Sequence, residues 1–166
     1  MMVRFSKCLL ITTIVFALAG CGDSEPGKAG KLPSTPKVTA SSQLGELGPQ
    51  GLFSNTAPGW HSERPPKFPE SLTVDFQTLR EIKHVGILQQ EGQPARAPKA
   101  LRIEISNDGN SWTQLAGSDN ACSPNMPDGW FNIDFSKPYT GRYLKVIIFS
   151  NCGDAQLLTL RGLRVG

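Results

Sequence analysis

Histidine, cysteine and long apolar runs are all scarce in this chain. Two His in 166 residues leave no room for a His-rich metal centre, because such a site draws several ligands into one neighbourhood. There is no Gly-x-Ser-x-Gly turn, no Gly-rich phosphate loop and no His-Glu-x-x-His pair. The common signatures of acyl transfer, nucleotide binding and metalloprotease chemistry are therefore missing. No window has the period and caps of a long amphipathic helix, and no internal repeat is visible. The longest apolar run, 9–19, holds about eleven residues including two Thr, against the roughly 20 that a membrane-spanning helix needs. The formal net charge of +3 is too small to argue for nucleic acid or an anionic surface as partner.

The short apolar run suits an export signal instead. Arg4 and Lys7 precede it without any acid, and Leu18-Ala19-Gly20-Cys21 closes it with the small residues of a cleavage site. The closing residues resemble the bacterial lipobox, in which the Cys is lipidated and becomes the first residue after cleavage. An ordinary secretory signal with an incidental Cys is the alternative. The lipobox reading makes 1–20 a signal peptide, Cys21 the lipidation site and the membrane a partner through the anchor. Lipid chains bury methylenes at about 0.8 kcal/mol each, so several chains on one Cys hold firmly. Residue 22 is Gly rather than the Asp of inner-membrane retention, so the expected location is the outer membrane of a bacterial envelope, facing periplasm or cell surface. Loss of Arg4 and Lys7 would lower the formal charge to about +1.

From Gly22 to Pro36 the chain is Gly, Pro, Ser and charge with a single Leu. Together with Cys21 it reads as a flexible tether, 21–36. The remainder, 37–166, has the size of one domain, and its period is two almost everywhere. Leu72, Val74 and Phe76 alternate with Thr73 and Asp75; Leu101, Ile103 and Ile105 alternate with Arg102 and Glu104; Phe131, Ile133 and Phe135 alternate with Asn132 and Asp134. Each is the pattern of a half-buried strand. Arg142–Phe149 is more continuously apolar, as a central strand would be. Further candidates are 82–88, 111–115 and 157–165. Asp108-Gly109 between two alternating runs predicts a hairpin. About eight such segments argue for an all-β fold, an antiparallel sandwich or jelly roll. Of four Cys, two lie in the leader; Cys122 and Cys152 remain. In an oxidising compartment they suggest a disulfide, with a metal site as the rival, although neither has a second ligand at metal spacing.

Six stretches then carry a family resemblance: VTASS (38–42), Gly59-Trp60, LTVDF (72–76), IEISNDGNSW (103–112), GRYLKV (141–146) and LRVG (163–166). Together they are similar to the discoidin, or coagulation factor V/VIII type C, family, across the whole of 37–166. The resemblance implies an eight-stranded jelly-roll β-sandwich with galactose-binding-like topology and binding loops clustered at one end. It also implies a structural calcium in many members, held by acids before the loop Trp and by a C-terminal Glu. Here those positions are Ser54-Asn55 and Arg161 or Gly162, so no cofactor is expected and calcium is disfavoured. Sugar-binding members carry an Arg after the strand that corresponds to 84–88, where this chain has Gln89-Gln90-Glu91.

The expectation that follows is a membrane-anchored, non-catalytic module whose partner is a glycan. The alternatives are an assembly lipoprotein that binds an envelope protein, and a hydrolase using loop acids such as Asp119, Asp128 and Asp154. The candidate ligand residues are His61, Glu63, Arg64, Gln90, Arg96 and Trp130. His61 and Glu63 flank Ser62 and share a face on extended chain; a solvated loop pair is the plainer reading. Trp60 and Trp112 suit packing, whereas Trp130 after Pro127-Asp128-Gly129 suits partial exposure and stacking.

Overall fold

A computed structural model describes residues 35–55 and 58–166 of the chain. The expected signal segment, Cys21 and nearly all of the expected tether lie outside the described residues.

Among the described residues eight strands form in sequence order: β1 (Lys37–Ala40), β2 (Trp60–His61), β3 (Glu70–Leu88), β4 (Leu101–Ser106), β5 (Thr113–Ser118), β6 (Trp130–Ile148), β7 (Thr159–Leu160) and β8 (Gly162–Val165). All pairings are antiparallel, in the order β1-β3-β6-β4-β5, with β8 on β3 and a separate β2-β7 ladder. The all-β sandwich expected from the alternating runs is the fold observed.

Two of those runs are longer than their sequence suggests. The segments 72–76 and 82–88 are halves of one strand, β3, and 131–135 and 142–149 are largely halves of β6. Both strands bend together, because the β3–β6 register breaks between Asp75 and Arg80 and again before His84. Gln77 takes φ 65 at the bend, and Asp75 Oδ1 accepts its N–H at 2.7 Å. The first half of β3 and the second half of β6 therefore lie in one layer with β1, β4 and β5. The other halves lie in the second layer with β8.

Between the layers Leu72, Val74, Phe76, Ile82, Val85, Ile103, Leu144, Val146 and Ile148 are buried in one cluster, with Trp60 and Leu52. Burying a Leu, Ile or Phe side chain contributes about 1.5–3 kcal/mol, so this cluster is the main source of stability. The second half of β6 is central, as expected, but alternates: Tyr143, Lys145 and Ile147 are only half-buried.

The bend fixes which loops share an end. Ser106 pairs with Tyr143, which pairs with Asp75, so the 107–112 turn sits at the bend. Leu88, Trp130 and Gly162 pair at the far end of the second layer, and Glu70, Ile148 and Leu101 at the far end of the first. The loops 41–55, 62–69, 89–100, 119–129 and 149–158 therefore converge at the end opposite the bend.

Candidate functional site

The 89–100 loop is fixed to its neighbours by hydrogen bonds and by a disulfide between those neighbours. Gln89 donates from Nε2 to the carbonyls of Ala121 and Cys122, both at 3.2 Å. Cys122 and Cys152 form the expected disulfide, with Cα atoms 5.5 Å apart. Cys152 N–H in turn donates to the Ala97 carbonyl, and Asp154 N–H to that of Ala95. Arg96 Nε lies 2.9 Å from Asp154 Oδ2. The backbone N–H groups of Gln156 and Leu157 and the Arg96 guanidinium hold the Asp154 carboxyl below the usual range.

Over this frame lies an open cleft of about 510 Å³, lined by Leu88–Gly92, Pro94, Pro127–Gly129 and Arg161. A smaller hollow of about 260 Å³ adjoins it and shares Gln90, Glu91 and Arg161, with Pro58 as its further wall. Among the described residues two buried polar atoms in these walls have no hydrogen-bond partner: Gln90 Oε1 and Arg161 Nε. Leaving such a group unpaired costs about 1–3 kcal/mol, so both favour a ligand that supplies the missing donor and acceptor. Among the described residues Arg161 forms an ion pair with Glu91 alone, at 3.5 Å, and the Glu91 side chain is 90% exposed.

His61 lies in β2 and is buried, with neither ring nitrogen hydrogen-bonded. Thr159, its partner across the β2–β7 ladder, is also buried with Oγ1 unpaired. Burial lowers the His61 pKa from its usual 6.5, and the charges of Arg96 and Arg64 add to the effect. The Pro58 carbonyl opposes the shift without hydrogen-bond geometry. His61, Arg64 and Arg96 thus share one electrostatic neighbourhood, and Pro58 links it to Gln90.

Two candidates stand apart. Glu63 pairs with Lys67 at 3.0 Å on the exposed side, and its N–H donates to Ser42 Oγ. Trp130 is 7% exposed, not the partly open ring that its loop position suggested. Its ring packs under the Arg164 guanidinium, 4.3 Å from the centroid, because Trp130 is the first residue of β6 and pairs with Leu88. Trp60 is fully buried, with Nε1 donating to the Ser42 carbonyl at 2.8 Å. Trp112 is half-buried, with Lys145 Nζ 3.7 Å from its ring centroid. No Trp is therefore free to stack in the cleft.

The place where the resemblance implies calcium has a different chemistry. A Cβ on Gly162 would fall 2.3 Å from Asn55 Oδ1, so the Asn55 carboxamide occupies the space that an acid at 162 would need. Among the described residues no group of three or more His, Cys, Asp or Glu could hold a metal. Calcium takes six to eight oxygens with carboxylates among them, and these residues do not fit it.

The profile of the F5/8 type C domain family matches residues 37–159. The chain belongs to that family. Solved structures of similar fold include chitosan-binding module 2 of a Paenibacillus sp. IK-5 chitosanase/glucanase, in complex with chitotriose. It has TM-score 0.64 and 18% identity, over 81% of this chain and 98% of that one. Clostridium perfringens CpGH89CBM32-5, in complex with GalNAc-β-1,3-galactose, gives 0.63 and 21%, over 81% and 97%. The family 32 CBM of C. perfringens NanJ, in complex with galactose, gives 0.64 and 17%, over 81% and 96%. At these identities the likeness is one of fold. No curated protein matches the chain. Arg161, Glu91 and Asp128 line the cleft although sequence reasoning gave none of them a ligand role. The signal that could have found two of them was departure from the family pattern, at Gln89-Gln90-Glu91 and at Arg161.

Proposed function

We propose that this F5/8 type C domain is a non-catalytic carbohydrate-binding module whose ligand docks on the cleft between 88–94, 127–129 and Arg161. One observation carries the reading: a buried acceptor, Gln90 Oε1, and a buried donor, Arg161 Nε, are both unpaired in adjoining cleft walls. A sugar hydroxyl both donates and accepts, so a hydroxylated ligand toward which the Gln90 or Arg161 side chain turns satisfies either group. The saccharides held by modules of the same fold support this choice. Exposed Arg64 and partly exposed Arg96 add positive charge beyond Pro58, around the buried His61.

The chain is held at a bacterial envelope by lipid on Cys21 in this reading, and the residues Leu18–Cys21 support it. Palmitate labelling that is lost in Cys21→Ser tests the anchor; labelling that persists in the variant would remove it.

Titration calorimetry of the full chain against representative neutral, amino and acidic oligosaccharides tests the ligand class. Saturable binding that Gln90→Ala or Arg161→Gln weakens about tenfold is expected; silence across all classes would falsify the reading. The absence of an exposed aromatic ring from the cleft favours a second reading, a protein ligand. A stoichiometric cross-linked partner in native membranes, together with that silence, would establish it.

A further inference from the structure

β2 and β7 form a ladder of two residue pairs, separate from the main sheet. It stands directly behind the walls of the smaller hollow. Pro58 and Gly59 precede β2, and Arg161 follows β7. A Cβ on Gly59 would fall 2.2 Å from the Leu160 carbonyl oxygen and 2.7 Å from Arg161 Cα, so the two walls meet at that glycine. Whatever parts Trp60 from Leu160 and His61 from Thr159 therefore moves Pro58 and Arg161 as well.

The second pair of this ladder has polar groups left over. The His61 backbone is satisfied, its N–H by the Leu47 carbonyl and its carbonyl by the Leu44 N–H. Neither ring nitrogen has a partner among the described residues, and nor does Thr159 Oγ1 opposite. A neutral ring leaves one donor and one acceptor unmet; a protonated ring leaves two donors and a buried charge. Such a charge needs a partner, and the ionisable groups around β2 supply none. Glu63 pairs with Lys67 and Asp154 with Arg96, while the Glu70 carboxylate accepts from Ser41, Ser42 and the Lys67 N–H. Glu46, on the 44–47 turn, is exposed. Residues 49–54 and β7 carry no ionisable side chain. Among the described residues no carboxylate comes within ion-pair distance of His61. Burial first, and then the charges of Arg96 and Arg64, lower the pKa of the ring. The open ladder therefore takes up a proton before the closed one does, and acid favours opening. The Pro58 carbonyl opposes the shift but lacks hydrogen-bond geometry, so accepting from the ring would also move that wall.

We propose that His61 is an acid-sensitive latch behind the cleft: when its ring is protonated the β2–β7 ladder opens, the Pro58 and Arg161 walls part, and a ligand held at neutral pH is released. The opening stands on the ladder alone, whereas the release rests on the carbohydrate reading.

Backbone hydrogen exchange of the full chain at about pH 7.5 and about pH 5, either side of the ordinary His range, tests the opening once the intrinsic pH dependence of exchange is corrected. The amides of 60–62 and 158–161 should lose their protection in acid while those of β4 keep theirs. His61→Gln and His61→Phe both remove the titrating ring, and Phe also fills its buried place; a folded variant of either kind should keep the ladder closed at both values. Ladder protection unchanged in acid would overturn the latch. So would protection lost equally in a folded His61 variant, or lost only together with that of β4. Calorimetry with a glucose tetrasaccharide and a galactose tetrasaccharide, both uncharged, tests the release. Affinity should fall about tenfold from the higher pH to the lower in the wild type and stay within about twofold in the variants, whatever their starting affinity. Equal affinity at both values despite an opened ladder would overturn the release. Binding of no saccharide at either value would remove the carbohydrate reading and the release with it, whereas the latch stands or falls on exchange alone.

Discussion

At the bend, Asp108 Oδ1 accepts the N–H groups of Asn110 and Ser111, both at 2.8 Å, and Ser106 Oγ accepts those of Asp108 and Gly109. Close by, Arg142 makes a two-pronged contact with Asp75, at 2.9 Å on each oxygen. At the opposite end Gln90 Oε1, Arg161 Nε, Thr159 Oγ1 and both nitrogens of His61 have no partner. A pocket exists at each end; the bend has one of about 410 Å³, lined by Ser106–Asp108 and Tyr139 among others. Pocket size therefore does not separate them. What separates them is whether the polar groups in the walls are already spent on each other. Substitutions at the bend should cost stability and leave binding intact, whereas substitutions of the unpaired side chains in the cleft should do the reverse.

The strongest attempt to break that division is removal of the disulfide. Cys122→Ser with Cys152→Ser opens a loop of 30 residues and should cost about 3–4 kcal/mol in the chain-entropy account, read by urea unfolding. Ligand affinity should fall as well, because Gln89, which neighbours Gln90, is held by the Ala121 and Cys122 carbonyls. Affinity unchanged in the double variant would mean that the cleft does not depend on its frame.

Next in size is Gly141→Ala at the bend. Its Cβ would fall 2.3 Å from Ile105 Cγ1 and 3.2 Å from the Ser106 carbonyl, an overpacking that costs about 1–3 kcal/mol. Binding by the folded fraction should not change. Gln90→Leu is the mirror case. It removes an unpaired buried acceptor, so stability should hold within about 1 kcal/mol or rise, while glycan affinity drops several-fold. A Gln90→Leu protein that unfolds early and binds normally would reverse the assignment.

The same division explains what could be read from the sequence. VTASS supplies Ser41 and Ser42, which hydrogen-bond the buried Glu70 carboxylate. LTVDF supplies Asp75, and GRYLKV supplies both Gly141 and its partner Arg142. The stretches that revealed the family thus carry the scaffold, where steric and hydrogen-bond demands dictate the residue. The strands were legible because burial on one face imposes a period of two, although the continuity of β3 and β6 through the bend was not. Nothing periodic marks Gln90, Glu91, Asp128 and Arg161, because loop residues brought together from three segments share no local signal. Trp130 misled for a related reason: its loop neighbours suggested exposure, but its pairing with Leu88 places it inside.

Acid should separate the two ends without any substitution, though with the smallest effect. His61 has a lowered pKa, so from about pH 6.5 downward the unfolded chain takes up a proton that the folded one resists. Stability contributed by the neutral ring is complete above that value and is lost as pH falls towards the folded pKa. The Asp108 carboxyl is held down to about 2, first by the Ser111 and Asn110 N–H groups. Its contribution is present above the unfolded value of about 4 and disappears only as pH falls through 2. Asp75 and Asp154 are depressed too, by Arg142 and by the Gln156 N–H respectively, so both ends weaken in strong acid. The informative window lies between about pH 6.5 and 4, where His61 alone among these shifted groups is changing. Urea midpoints should fall across that window in the wild type and stay level in His61→Gln, while Asp108→Asn follows the wild type until about pH 4. Parallel slopes for wild type and His61→Gln would mean that the unpaired ring does not sense burial, and the loop end would lose its claim to be the less settled half of the molecule.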